Sequence, residues 1–236
     1  MGFETLLADI AADHKRLVVY ASDTTGKDLT ERLATRNLTV EHRRLPSLGA
    51  DAFVVVRDAE GFHGALSLSD LLGFLAPPIH RPGDRESLSQ AYRTIYDVLD
   101  ETVFVSLDRR QLLATSRELE DRAWRTGRGR LDAGFQRADA FEAQAAIYRE
   151  LAETTDIDVH VYLPADAATA VDGRGSLTVH TEPADLLDRY WFVLYDDGRD
   201  GTQNCALVAE LTGGRQYRGV WTYDPELVER AFGAVR

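Results

Sequence analysis

Residues 115–136 read TSRELEDRAWRTGRGRLDAGFQ, and the change of rhythm inside them decides the fold class. Up to Trp124 the spacing is helical: Leu113, Glu120 and Trp124 recur at intervals of seven and four, with Ser116 four residues before Glu120. The Arg/Gly turn TGRGR then leads into LDAGFQ, which reads as a strand. A helix over 108–125, with Asp108 as its cap, therefore passes directly into a sheet. Five arginines, at 117, 122, 125, 128 and 130, crowd this stretch. Arg117 with Asp121, Glu118 with Arg122 and Asp121 with Arg125 are each four apart, which predicts a solvated ladder of ion pairs. The opposite stripe differs, because Ser116, Glu120 and Trp124 stand where a structural helix would carry aliphatic groups. Glu120 has Trp124 at i+4 and so must find a ligand, an arginine or water. Two glycines in TGRGR can expose backbone N–H groups, so Arg128 and Arg130 border either an anion site or a plain helix-to-strand connection.

Downstream the pattern predicts a helix ADAFEAQAAIYRELAE and strands DIDVHVYLP, SLTVHT, RYWFVLYDD, NCALVAEL and QYRGVWTYD. A closing helix PELVERAFGAV follows, with Pro225 in its first turn. Short turns in this succession point to antiparallel neighbours. Upstream, Phe3, Leu6, Leu7 and Ile10 are spaced as a helix, followed by strand LVVYAS, helix TTGKDLTERLATRN and strands LTVEHRRL, DAFVVVRD and GFHGALSL. Ser69 is placed to cap a short helix SDLLGFL, and Tyr92, Ile95, Tyr96 and Leu99 have helical spacing. The halves echo each other. GFHGALSLSDLL from Gly61 and RQYRGVWTYDPELV from Arg215 share one order of residue types, and DAFVVVRD and YWFVLYDD hold matching places before them. The expected fold is mixed α/β (α+β), with two related lobes, mixed sheets and antiparallel strands dominant in the C-terminal half. The expected domains are an N-terminal lobe over 1–75, a Pro-rich linker over 76–90 within APPIHRPGDRES, and a C-terminal lobe over 91–236.

A chain of 236 residues that is 44% hydrophobic can bury a substantial core. Its formal net charge is −12, and Lys15 and Lys27 are its only lysines. Such a surface repels phosphate backbones, which excludes nucleic acid as a partner unless a local patch overrides the field. A carboxylate-rich, lysine-poor surface also points to a halophilic, high-salt setting, where repulsion is screened. The opening MGFETLLADIAADHKR has neither an export signal nor a lipidation signal, and no apolar run approaches the ~20 residues of a membrane-spanning helix. With Cys205 as its one cysteine the chain reads as cytoplasmic, without a membrane anchor.

Catalytic constellations are thin. His160 and His180 lie in strands that can pair, each near an acidic residue, but no third ligand stands at a metal-binding spacing, so no metal is expected. Cys205, inside the apolar run CALVA, reads as a small buried hydrophobe. Asp23-Thr24-Thr25-Gly26-Lys27 lacks the phosphate-loop pattern, and no catalytic residue is assigned. Trp221 and Tyr223 share one face of a late strand, close in the chain to Asp224. Trp191, Phe192 and Tyr195 lie two strands away, and core packing accounts for most of these rings.

Taken together, TSRELEDRAWRTGRGRLDAGFQ, RYWFVLYDDG, NCALVAEL and QYRGVWTYDP resemble, in order and separation, the DICT sensory domain, named for diguanylate cyclases and two-component systems. The likeness is less distinct over the first half. It implies a cytoplasmic signal-input domain, found beside cyclase or histidine-kinase output and sometimes in light-responsive contexts. Family-like positions are Ser116, Arg117, Glu120, Asp121, Trp124, Phe135 and Gln136, then Trp191, Tyr195, Trp221, Tyr223 and Asp224. No output domain follows in this chain, so the expected partner is a histidine kinase, cyclase or regulator acting in trans, and a homodimer is compatible with the reading. Three function classes compete. One is a non-catalytic sensory module that binds a small ligand or a protein at Ser116, Glu120, Trp124, Arg128, Arg130, Gln136, Trp221 and Tyr223. Another is a small-molecule enzyme with Glu120 as acid/base and Arg128 as anion clamp. The third is an interaction scaffold. No cofactor is specified by these residues.

Overall fold

The computed structural model describes residues 2–12, 14–22, 28–33, 38–45, 52–59, 61–74, 93, 95, 101–107, 109–165, 176–182, 184–213 and 216–235. At 32, 74, 101–107, 182, 184, 185 and 213 the description is confined to the backbone. The Pro-rich segment read as a linker, the capping role of Asp108 and most of the helix over 92–99 lie outside these residues. The chain divides into two compact units, one of Met1–Ala8 with Val103–Arg236 and one of Asp9–Thr102.

In the second of these units, strands β1 (Lys15–Ala21), β2 (Leu38–Arg44), β3 (Phe53–Arg57) and β4 (Phe62–Ser67) form a sheet of order β2-β1-β3-β4. Side chains alternate in direction along β1 and β3, which sends Leu17, Val19, Val54 and Val56 to one buried face. Helices α2 (Leu29–Arg32) and α3 (Leu68–Phe74) cover that face with Leu29, Leu68 and Leu71. The first turn of α3 is capped by Ser67, whose Oγ accepts from the Asp70 amide at 3.0 Å. The helix begins one residue before the expected cap, Ser69, which instead hydrogen-bonds to Ser67 at 2.9 Å.

The other unit holds β5 (Glu101–Leu107), β6 (Arg128–Gly134), β7 (Asp156–Pro164), β8 (Thr178–Glu182), β9 (Tyr190–Asp196), β10 (Cys205–Gly213) and β11 (Gln216–Thr222). Their order is β5-β11-β10-β9-β6-β7-β8. Helices α4 (Arg109–Thr126), α5 (Ala138–Glu142) and α6 (Ala145–Thr154) lie on one face, over a core that includes Leu112, Leu119, Leu131, Val159, Val193 and Leu207. Phe3 of α1 (Phe3–Ala12) packs on the opposite-parity residue Phe192 and on Tyr190, at ring distances of 5.2 and 5.3 Å. Helices α7 (Ala184–Arg189) and α8 (Pro225–Gly233) complete the unit. Because helices cover both faces, β9 is buried along nearly its whole length rather than alternating. At α8, Asp224 Oδ1 accepts from the amides of Glu226 and Leu227 at 2.9 and 3.0 Å, with Pro225 following it as expected.

The two sheets repeat one topology. In each, a strand–helix–strand segment gives a parallel pair, β1/β2 and β6/β7. The next pairings are antiparallel, β3 to β1 and β4 to β3 in one sheet, β9 to β6 and β10 to β9 in the other. The order β2-β1-β3-β4 thus matches β7-β6-β9-β10, with β8 and α7 inserted and β5 and β11 added. This places DAFVVVRD opposite YWFVLYDD, but it aligns β4 with β10 instead of β11. The string shared by GFHGALSLSDLL and RQYRGVWTYDPELV therefore marks a strand-to-helix junction that occurs in both units, not an equivalent strand. Strand β8 is also parallel to β7, against the expectation of antiparallel neighbours after Asp156. Helix α7, not read from the sequence, precedes β9.

Candidate functional site

Helix α4 points Leu112, Ser116, Leu119, Glu120 and Ala123 into the core, so a hydroxyl and a carboxylate sit in the middle of its apolar stripe. Ser116 is 1% exposed and accepts from the indole Nε1–H of Trp191 on β9 at 3.1 Å. Glu120 is 3% exposed, and both of its oxygens are engaged. Tyr148 of α6 donates to Oε1 at 2.5 Å, and Arg117 donates through Nη1 to Oε2. The second terminal nitrogen of Arg117 donates to Gln144 Oε1 at 2.6 Å, at the break between α5 and α6. One ionic network therefore joins α4 to α6.

Burial holds the Glu120 carboxyl above its usual 4.5, although the hydrogen bond from Tyr148 and the charge of Arg117 act in the other direction. The Tyr148 phenol is pushed well above its ordinary value, first by burial and then by the Glu120 charge beside it. The expected ladder is thereby redrawn. Arg117 pairs with Glu120 and not with Asp121, because a desolvated carboxylate binds a cation more strongly than an exposed one. Glu118 meets Arg125 at 3.7 Å, both well exposed. Arg122 donates to the carbonyls of Gln203 and Thr202 at 2.9 and 3.1 Å, with its guanidinium 4.9 Å from the centre of the Tyr223 ring. Those carbonyls sit on a loop shaped by buried Asp197, which accepts from the amides of Arg199, Gly201 and Gln203.

The Arg/Gly turn is shorter than it reads. Gly127, at φ +70°, closes α4, and residues 128–134 are already strand, paired in parallel with β7. Gly129, at φ +99°, passes so close to β9 that an added Cβ would stand 2.1 Å from the Asp196 carbonyl oxygen. Its glycine serves strand packing. The carbonyl of Arg128 accepts from the Tyr195 hydroxyl at 2.7 Å, while its own buried Nε has no hydrogen-bond partner among the described residues.

Arg130 does not join Glu120 and Trp124. Alternation along β6 sends Leu131 and Ala133 into the α4-side core, so Arg130 and Asp132 face the other way. There Arg130 clasps fully buried Asp132 through Nε and Nη2 at 2.7 and 2.9 Å, beside the Tyr162 hydroxyl at 3.3 Å and with the Phe232 ring centre 5.9 Å away. Asp132 raises the guanidinium above its ordinary value, and burial followed by the Asp132 charge does the same to Tyr162.

Trp124, Trp221 and Tyr223 are partly buried against the α4-side core. Gln136 accepts from Tyr217 at 3.2 Å and donates to the Asp188 carbonyl at 3.2 Å. The structure thus brings Ser116, Glu120, Trp124, Trp221 and Tyr223 to one side of the sheet, with Gln136 bonded to the same core through Tyr217, and leaves Arg130 on the other. Tyr148, Gln144 and the Trp191–Ser116 bond were missed, since partners 28, 27 and 75 residues apart have no spacing signature. Cys205 is fully buried, its thiol pushed up to about 12 by burial, in keeping with a packing role. No group of three or more His, Cys, Asp or Glu among the described residues is placed to hold a metal ion. No helix among them is long and apolar enough to cross a membrane.

Comparison with known families matches residues 86–211 to DICT, a sensory domain in diguanylate cyclases and two-component systems. That span covers more than half of the chain and includes α4, β6 and the Glu120 network. The chain belongs to the DICT family. Among curated proteins none matches. Among solved structures, the polyphosphate kinase of Porphyromonas gingivalis is 12% identical with a TM-score of 0.35, a likeness too low to bear on fold or chemistry. It covers 98% of this chain, which spans 48% of that one.

Proposed function

We propose that the chain is a non-catalytic signal-input domain that binds a small ligand or a partner protein on the α4 side of its seven-stranded sheet. It passes the resulting state to a separate output protein of the two-component or cyclic-dinucleotide type, with light-linked signalling as one setting. The observation that carries this reading is the buried network Arg117–Glu120–Tyr148–Gln144, inside the span matched to a sensory family. A buried ion pair is weak as a source of stability compared with well-packed apolar groups, and it suits an element with two arrangements. A charged or flat ligand that bound at Trp124, Trp221 and Tyr223 and competed for Arg117 would alter how α4 sits against α6. Glu120 is a poor candidate for acid/base chemistry, because a substrate would have to displace both Tyr148 and Arg117 to reach it.

Native mass spectrometry of protein purified from its own host, with a parallel pull-down, tests the reading. A retained molecule or captured partner is expected in the parent and in Glu118→Gln, and is expected to be lost in Trp124→Ala and Glu120→Gln after circular dichroism confirms folding. A folded Glu120→Gln that retains the same molecule or partner as the parent overturns it.

A further inference from the structure

Three adjacent strands bring one charged cluster to the face of the seven-stranded sheet away from α4. Trp191 and Val193 of β9, Leu207 and Ala209 of β10 and Tyr217 of β11 enter the α4-side core, so alternation turns Tyr190, Glu210 and Arg218 the other way. The register sets Tyr190 opposite Glu210, and Glu210 opposite Arg218. Glu210 is buried, and each of its oxygens takes one guanidinium: Arg189 Nη2 donates to Oε1 at 2.6 Å, and Arg218 Nε donates to Oε2 at 2.7 Å. Both arginine side chains reach outward, 49% and 62% exposed. Two cations thus share one buried carboxylate in a chain of net charge −12. Glu4 is well exposed and lies 3.7 Å from Arg189 Nη1, an ion-pair contact too long for a hydrogen bond. Tyr190 adds a second observation. It is 4% exposed, and its buried hydroxyl has no hydrogen-bond partner among the described residues, a costly position for a phenol. Burial raises this phenol above its ordinary value, which keeps it a neutral donor, and the charges that further act on it are those of Arg189, Glu210, Glu4 and Arg218. The hydroxyl therefore lies at the cluster, with the Arg189 guanidinium 5.3 Å from the centre of its ring.

We propose that Arg189, Arg218 and Tyr190 form a binding site for a small oxyanion, a phosphate or a carboxylate. Glu210 supports the site, because its two oxygens hold the guanidiniums side by side. Arg189 Nε and Arg218 Nη1 make no hydrogen bond to the described residues and can donate to a ligand. Glu4 displays the chemistry that Arg189 accepts, since an exposed carboxylate already stands beside it. An oxyanion that replaces Glu4 and draws the half-exposed Arg189 side chain off the Tyr190 ring uncovers the phenol, which then donates to it. Donors on three side chains favour an ion with several acceptor oxygens over chloride. The site lies on the sheet face away from α4 and shares no side chain with the α4-side reading, so it stands without that reading.

Nuclear magnetic resonance of the full chain, titrated with potassium phosphate or potassium acetate while KCl is lowered to hold ionic strength constant, tests it. Saturable shifts of the Arg189 and Arg218 guanidinium signals and of the Tyr190 ring are expected with at least one salt. A response to phosphate alone marks a phosphate-bearing ligand, to acetate alone a carboxylate, and to both a site that takes either. Arg189→Gln and Arg218→Gln are expected to weaken binding about tenfold. Arg137→Gln, which makes the same change of charge at an exposed arginine paired with Asp139, is expected to leave it unchanged. Tyr190→Phe separates a binding role from a structural one. Its hydroxyl has no partner in the free chain, so removal is expected to leave urea unfolding unchanged or shifted to higher urea, while binding weakens about fivefold. Shifts that never saturate overturn the proposal, as does a Tyr190→Phe chain that binds like the parent, or an Arg137→Gln chain weakened as much as Arg189→Gln. Should the arginine variants fail to fold, the parent titration and Tyr190→Phe decide.

Discussion

Tyr148 donates its phenolic hydrogen to Oε1 of Glu120 across 2.5 Å, joining two helices at a point where both side chains are almost wholly out of contact with solvent. Arg117 completes the arrangement from one turn earlier on the helix of Glu120. Removal of Tyr148 or Arg117 leaves a buried oxygen of Glu120 short of a partner, so the group behaves as a unit.

Removing the Tyr148 hydroxyl as Tyr148→Phe is expected to cost about 2 kcal/mol, because a buried carboxylate oxygen loses its donor. The pH dependence has a definite sign. A carboxyl whose folded-state value is raised favours its protonated form in the fold. Its contribution is complete below the ordinary value of 4.5 and is lost as pH rises through the folded value. Urea unfolding of the parent and of Glu120→Gln, from pH 4 upward, should show the parent losing ground to the variant as pH rises. A parent that instead gains on the variant as pH rises would contradict the assignment of burial as the dominant effect.

Gly129→Ala is expected to destabilise by at least about 3 kcal/mol, because the new methyl meets the Asp196 carbonyl in a backbone region that L-residues avoid. Gly233 supplies the control. It lies in α8 with nothing within 4 Å of an added Cβ, so Gly233→Ala should shift stability by no more than about 1 kcal/mol. Thermal or urea unfolding of the two variants checks both, and comparable effects would mean that the close approach of β6 to β9 is not required.

With a formal charge of −12 and two lysines, folding gathers carboxylates that repel one another. The melting temperature is expected to rise as KCl is raised from low to molar concentration, through screening. A melting temperature that stays flat across that range, followed by circular dichroism, would remove the high-salt reading.

Much of the fold was legible in the chain, for reasons that are local. Period-two alternation in LTVEHRRL and the apolar, β-rich runs DAFVVVRD, YWFVLYDD and NCALVAEL mark strands. Helical spacing at Phe3, Leu6 and Ile10 marks α1, and Asp224-Pro225 starts α8, because each signal lies within a few residues of the structure it specifies. The signature of the family was equally local, in TSRELEDRAWRTGRGRLDAGFQ, and the stripe of α4 that carries Ser116 and Glu120 could be drawn from spacing alone.

The partners could not. Spacing offered Asp121 to Arg117, and tertiary packing gave it Glu120, since α6 buries that carboxylate and raises the worth of a cation beside it. Arg130 read as part of a turn beside Glu120 and Trp124, yet it lies within β6, where strand alternation turns it toward Asp132 on the face away from α4. His160 and His180, twenty residues apart, became a hydrogen-bonded pair only because β8 returns parallel to β7 in one register. The sequence by itself determined most of the helices and strands, where α4 turns its unusual face, and to which family the chain belongs. The tertiary structure alone decided which charges meet, because Coulomb attraction and hydrogen bonding depend on distance and burial across the fold, and neither is a function of separation along the chain.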